Sequence, residues 1–226
     1  MADQLTKFQM IDDTMGQSFD QSGDNYNGPV TGVDWQWVVP DNIIAANLGI
    51  DPADNLDITA DVPNVFMKGG AGDDALDASK VAGTNVLDGG TGSNFLRGGS
   101  GHDTFFLDDR NASCSIWSTV ANLQSGDTAT IWTPPEFQIA TLTPSDFEMP
   151  RSAPPQGVNV TTSDGQGAPN FTGLTIGITA PDKPDANLTL VGYSTADLIS
   201  GRLTIAFGRT PDTTVPGSDF LLVKAT

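Results

Sequence analysis

Between Gly69 and Phe106 the chain repeats a nine-residue pattern, G-G-x-G-x-D-x-U-x with U apolar, and this repeat leaves few folds open. Gly69 to Asp77 fits it with Asp74 in the acidic sixth position and Leu76 in the apolar eighth. Gly98 to Phe106 fits with Asp103 and Phe105, and Gly89 to Arg97 fits with Asn94 and Leu96. Lys80 to Asp88 keeps only Gly83, Asn85 and Leu87 and is a degenerate member. Asn64-Val65-Phe66 repeats the cadence without its glycines, so polar-x-apolar triplets fall at Asn64, Asp74, Asn85, Asn94 and Asp103. Glycine admits positive φ and a turn without a Cβ clash, and the residues around the apolar position form a short strand with that side chain inward. Each nonamer is therefore half a coil, and half-turns 18 residues apart stack, as Asn85 and Asp103 do. Asp74 and Asn94 would share that interval but for Ala78 and Ser79, which predict a bulge in the intervening turn.

Stacking of this kind brings sixth-position side chains and turn carbonyls around shared gaps. Oxygen donors in such numbers suit a hard cation such as calcium. Each stacked pair, Asn85 with Asp103 and Asp74 with Asn94, supplies one carboxylate and one amide. Lower ligand charge weakens a calcium site, so dissociation constants of roughly 0.1 to 1 mM are expected.

Composition agrees with a turn-rich β protein. Of 28 acidic residues only Glu136 and Glu148 are glutamate, and aspartate favours turns where glutamate favours helices. With 10 Lys plus Arg the net charge is -18, which argues against nucleic acid or anionic membrane as partner and makes the metal-free chain self-repelling. The 226 residues, 38% hydrophobic, suffice for a buried core, and no apolar run is long enough for a transmembrane helix. The first ten residues carry Asp3 and no apolar core, so no cleaved signal peptide is expected. Cys114, the single cysteine, reads as a small buried side chain.

Three regions follow. Residues 1–55 form an amino-terminal β or adaptor region, with an alternating strand over Val33 to Val39 that puts Trp35 and Trp37 on one face, and a short capped helical turn over Asp41 to Gly49. Residues 56–110 form the repeat coil. Residues 111–226 form a β-rich cap with strands over Ser115 to Leu123, Thr128 to Trp132, Leu174 to Thr179, Asn187 to Val191, Arg202 to Phe207 and Asp219 to Val223, and a helical turn over Ser194 to Ile199. Pro144 to Gly167 and Thr210 to Gly217 read as loops. A sandwich-like cap protects the open end of the coil, where backbone groups would otherwise lie unpaired.

The run from Asn85 through Asp108, with Ile116-Trp117-Ser118-Thr119-Val120, Gly126-Asp127-Thr128-Ala129-Thr130-Ile131-Trp132, Asp164-Gly165-Gln166-Gly167-Ala168, Leu188-Thr189-Leu190-Val191-Gly192-Tyr193 and Gly201-Arg202-Leu203-Thr204-Ile205, resembles the RTX, haemolysin-type calcium-binding module of secreted alphaproteobacterial proteins. The resemblance covers about residues 56–226. It implies a short right-handed parallel β-roll, calcium as the bound ion, and type I secretion to the extracellular space or cell surface, with Phe220 to Thr226 compatible with the uncleaved signal. It also implies one site of Asn85 and Asp103 with carbonyls near Ala82, Gly99 and Gly101. The other would use Asp74 and Asn94 with carbonyls near Gly69, Ala71, Gly90 and Gly92. Asp73, Asp77, Asp88 and Asp108 are assigned to solvated turn capping.

The sole histidine, His102, excludes a histidine-built zinc site and argues against a Ser-His-Asp triad. No enzymatic motif is present, so a non-catalytic role is expected. Two classes remain: a calcium-folded structural protein that self-assembles into an oligomer, filament or surface layer, and a calcium-dependent carbohydrate-binding module. Trp35, Trp37, Trp117 and Trp132 would serve the second if exposed, although burial in the core is the favoured reading.

Overall fold

The apolar eighth positions of successive repeats meet in one interior. The computed structural model describes residues 9–10, 45–48, 55, 57–109, 113–133, 159–209 and 219–226. Its strands are β1 (Gln9–Met10), β2 (Ala45–Leu48), β3 (Asp57–Thr59), β4 (Val65–Ala71), β5 (Ala75–Asp77), β6 (Ala82–Gly83), β7 (Val86–Thr91), β8 (Phe95–Arg97), β9 (Ser100–Gly101), β10 (Thr104–Asp108), β11 (Ile116–Ala121) and β12 (Thr128–Thr133). Then follow β13 (Asn159–Gln166), β14 (Gly173–Thr179), β15 (Ala186–Val191), a helix α1 (Thr195–Ser200), β16 (Leu203–Arg209) and β17 (Asp219–Ala225).

The fold is all-β, a parallel β-solenoid of about four coils. One sheet runs β1-β2-β4-β7-β10-β12-β17-β16, and the facing sheet runs β13-β14-β15-β11-β8-β5-β3. The chain alternates between them, β4 to β5 to β7 to β8 to β10 to β11 to β12, with parallel pairing at each step up the coil. Both sheets continue into the carboxy-terminal part, where β15 joins β11 in parallel, and β14, β13, β17 and β16 add antiparallel strands. The coil end is thus covered by extension of its own two layers.

Period-two alternation sets the core. Met67, Leu87, Phe105 and Ile131 point in from one sheet, and Leu76, Leu96, Val120, Leu188 and Ile176 from the other. The opposite face of the eight-stranded sheet is buried too: Phe66, Lys68, Asp88, Phe106, Thr130 and Trp132 are all nearly inaccessible. There Lys68 stands in register with Asp88. Burial lowers the Lys68 pKa to about 8, against the opposing pull of the Asp88 carboxylate.

The glycines have two separate jobs. At Gly69, Gly89 and Gly98 a Cβ would press on the sixth-position side chain of the same repeat, Asp74, Asn94 and Asp103 respectively. Gly90 sits at φ 73, in register with Gly70, and its Cβ would overlap the Gly70 carbonyl oxygen of the adjacent coil. The insertion at Ala78 and Ser79 becomes a tight turn closed by the Val81 N–H on the Ala78 carbonyl at 3.0 Å.

Two segments depart from expectation. The helical turn proposed over Asp41 to Gly49 includes β2, because Ala45–Leu48 pairs in parallel with Val65–Lys68; a neighbouring strand edge overrides the local preference. Within the supposed loop Pro144 to Gly167 lies β13, largely exposed and, among the described strands, an edge strand paired only with β14, whose polar sequence hides the strand period. Val33 to Val39, Trp35 and Trp37 lie outside the described residues. Trp132 is buried as expected, whereas Trp117 is 44% exposed and donates its indole N–H to Thr189 Oγ1 at 2.8 Å. Cys114 is exposed, because it falls in the corner before β11.

Close stacking makes a testable distinction between glycines. Gly165 has a similar φ, 72, but open space where its Cβ would be. Gly165→Ala should cost about 1 kcal/mol for the left-handed backbone alone, and Gly90→Ala about 3 kcal/mol or more once the coil must part. Denaturant unfolding of both variants measures this, and equal losses would contradict the contact between coils.

Candidate metal centre

The sixth-position side chains form polar ladders at the corners. At one corner the Asp74 N–H donates to Asn94 Oδ1 at 2.9 Å, and the Asn94 N–H donates to Ser118 Oγ at 3.0 Å. At the opposite corner the Val65 N–H donates to Asn85 Oδ1 at 3.2 Å, the Asn85 N–H to Asp103 Oδ1 at 3.2 Å, and the Asp103 N–H to Asp127 Oδ1 at 2.7 Å. Each side chain thus satisfies a backbone donor in the preceding coil. All of Asp74, Asn85, Asn94, Asp103 and Asp127 are buried. An unpaired N–H at such depth would cost about 1 to 3 kcal/mol.

Both sequence-paired sets are therefore brought together, Asp74 with Asn94 and Asn85 with Asp103. Asn64 is not their counterpart: register places Phe66 opposite Val86, so Val65 holds the slot and Asn64, at φ 53, instead accepts the Thr84 N–H at 2.8 Å. An outer ladder runs beside the first, from the Asp73 N–H to Asn55 Oδ1, the Ser93 N–H to Asp73 Oδ1, and the Trp117 N–H to Ser93 Oγ. Asp77 caps Ser79 at 2.7 Å and Asp88 caps Gly90 at 3.0 Å, as turn capping implies. Asp88 and Asp108 are buried rather than solvated, because they lie on the covered outer face of the sheet.

Sequence reading missed Asp127 and Ser118. The signal for Asp127 is present: Asp127-Thr128-Ala129 repeats Asp103-Thr104-Phe105, offset by 24 residues and without a full glycine turn before it. Ser118 carries no comparable mark.

The two corners differ as cation sites. At the Asp74 and Asn94 corner, Asn94 Nδ2 lies 3.2 Å from the Gly90 carbonyl oxygen and 3.4 Å from that of Gly92. An amide donor thus faces the carbonyls that the family pattern would give to calcium, and this set fits a cation poorly. At the other corner Asn85 Nδ2 donates to Asp103 Oδ1 at 2.7 Å, the Gly99 N–H to Asp103 Oδ2 at 2.7 Å, and the Gln124 N–H to Asp127 Oδ2 at 2.7 Å. The Gly98 and Gly99 carbonyls accept from Asn122, and that of Gly99 also from Gln124. Amide donors thus occupy carbonyls at this corner as well, and what sets it apart is two buried carboxylates one above the other, the charged oxygen donors that calcium favours. Burial raises the Asp103 pKa, and it raises that of Asp127 to about 6, where the Asp103 charge adds to the effect and N–H donors oppose it. Among the described residues there is no cluster of three or more acidic, histidine or cysteine side chains able to hold a metal.

No family model matches the chain, and no curated protein matches it in sequence. What the coordinates define is a class of architecture, the parallel β-solenoid with polar corner ladders.

A third acidic group lies apart from both corners. Asp109, after β10, is buried, with Oδ1 lacking a hydrogen-bond partner among the described residues. Burial, then the charges of Asp108 and Asp185, raise its pKa to about 7. The folded chain therefore holds this proton more tightly than the unfolded chain, whose carboxyl titrates near 3.9, so Asp109 favours folding at low pH and its contribution is lost as pH rises towards 7. Asp109→Asn should raise the melting temperature most at pH 8, less at pH 5 and least below pH 4, where both states are protonated. A variant that melts lower at pH 8 would refute the charge penalty.

Proposed function

We propose that the chain is a secreted, calcium-dependent structural protein that folds when calcium binds and then assembles or adheres at the cell surface. The observation that carries this reading is the nonapeptide array realised as stacked coils, with the buried carboxylates of Asp103 and Asp127 in direct succession at one corner. Calcium there would be held by the Asp103 and Asp127 carboxylates, and would neutralise two charges that burial penalises. Elsewhere the same coil uses amide and hydroxyl side chains, Asn94 and Ser118, which need no ion. One ligated corner would favour modest affinity, and calcium at tenfold its dissociation constant would add about 1.4 kcal/mol to stability.

Type I secretion suits such a protein, because the ion that completes the corner is abundant only outside the cell. Assembly is supported by the edges: β13 is long, exposed and paired on one side only among the described strands. The lone histidine, His102, is exposed and lies against Gly126, a poor setting for catalysis. No described helix is long and apolar enough to cross a membrane.

Circular dichroism during a calcium titration should show β structure growing with the ion and falling on chelation. Asp127→Asn and Asp103→Ala should each move the midpoint about tenfold higher, in keeping with loss of one ligand charge. A chain equally folded with and without chelator would end the proposal. Sedimentation of the wild-type protein should show larger species in calcium, and a monomer at every calcium level would remove assembly while leaving folding intact.

A further inference from the structure

A cleft of about 510 Å³ opens where the coil meets the carboxy-terminal strands. It is lined by Arg97 at the end of β8, Asn122 after β11, Asn170 and Phe171 between β13 and β14, Tyr193 after β15, and Arg202 after α1. Its size suits a small ligand or a few residues of a polymer. Arg97 and Arg202 are the two arginines whose side chains are described, and no carboxylate lines the cleft. Asp77 and Asp197 balance them from outside the lining, so the cleft offers guanidinium N–H donors rather than a net positive charge.

Neither arginine is spent. Arg97 Nη1 lies 3.8 Å from Asp77 Oδ2, beyond hydrogen-bond distance. Arg202 Nη1 donates to Asp197 Oδ1 at 2.6 Å, and its guanidinium rests 5.3 Å from the Tyr193 ring centroid. A guanidinium carries five N–H donors, so each keeps a fork for a carboxylate. The aromatic walls are fixed: Tyr193 donates its hydroxyl to the Leu123 carbonyl at 2.9 Å, and Phe171, 37% exposed, packs edge-on against Phe95 with centroids 4.9 Å apart. Asn122 spends Nδ2 on Gly98 and Gly99, which leaves Oδ1 as an acceptor, and the exposed Asn170 amide makes no hydrogen bond among the described residues.

Paired guanidiniums, amides with open hydrogen-bonding capacity and an exposed aromatic surface correspond to a ligand with a carboxylate, several hydroxyls and an apolar C–H face. We infer that the cleft binds a hexuronate-bearing polysaccharide. A neutral sugar would leave the remaining guanidinium N–H donors without a carboxylate, and an acidic peptide would offer carboxylates without the hydroxyl-bearing ring. This function needs neither assembly nor a metal in the cleft, and so goes beyond the proposal above.

Calorimetric titration of the full chain, folded in fixed free calcium, with a hexuronate tetrasaccharide and with a neutral hexose tetrasaccharide tests it. The uronate should bind and the neutral sugar should bind at least tenfold more weakly. Arg97→Gln, with an unchanged circular dichroism spectrum, should weaken uronate binding at least tenfold, and Phe171→Ala should weaken it severalfold. Calcium bridging between the sugar and the corner carboxylates would leave Arg97→Gln unimpaired. That result overturns the inference, as would equal affinity for the neutral sugar, equal affinity for an aspartate-rich peptide, or no uronate binding by a folded chain.

Discussion

The structure depends on a backbone donor in one coil finding its acceptor in a side chain of the next. At a solenoid corner the strand ladder breaks, and the N–H groups of Asp74, Asn94, Asn85 and Asp103 would face a dry interior. The sixth-position residues of the following coils, Asn94, Ser118, Asp103 and Asp127, close those gaps. Register follows from this, since a slip of one residue would both expose the apolar interior and orphan every corner donor. Glycine at the first repeat position makes room for that side chain, so the repeat encodes a packing requirement as well as a turn.

Side-chain identity then divides the corners by charge. Where asparagine and serine occupy the ladder, an amide or hydroxyl completes the hydrogen bonding above a single buried carboxylate, Asp74. Where aspartate follows aspartate, at Asp103 and Asp127, the corner carries two carboxylates whose pKa values burial raises. That contrast, two buried carboxylates against one, is the physical basis for proposing calcium at one corner rather than two. It also moves the proposed calcium site relative to the sequence expectation, from Asn85 and Asp103 alone towards Asp103 and Asp127.

What could be read from the sequence was what repeats. The spacing of Asp74, Asn94, Asn85 and Asp103 gave the coil, its parallel pairing and both stacked pairs, because a fixed offset in a solenoid is a fixed position in space. Strands with apolar alternation, such as Leu174 to Thr179 and Asn187 to Val191, were legible for the same reason. Asn159 to Gln166 was not, since an exposed edge strand needs no apolar period. Ala45 to Leu48 pairs because Val65 to Lys68 lies beside it, a tertiary fact absent from the local residues. The cleft around Arg97 and Arg202 was invisible, because its walls come from six separated segments.

Residue-resolved amide hydrogen exchange in calcium tests the ladder most directly. The N–H groups of Asp74, Asn85, Asn94 and Asp103, although outside or at the ends of strands, should exchange as slowly as those of Leu76 and Leu96 in the core. Exchange at the rate of the exposed irregularity around Gly165 in the edge strand β13 would show that no such side-chain acceptor holds them, and that these coils do not stack in this way.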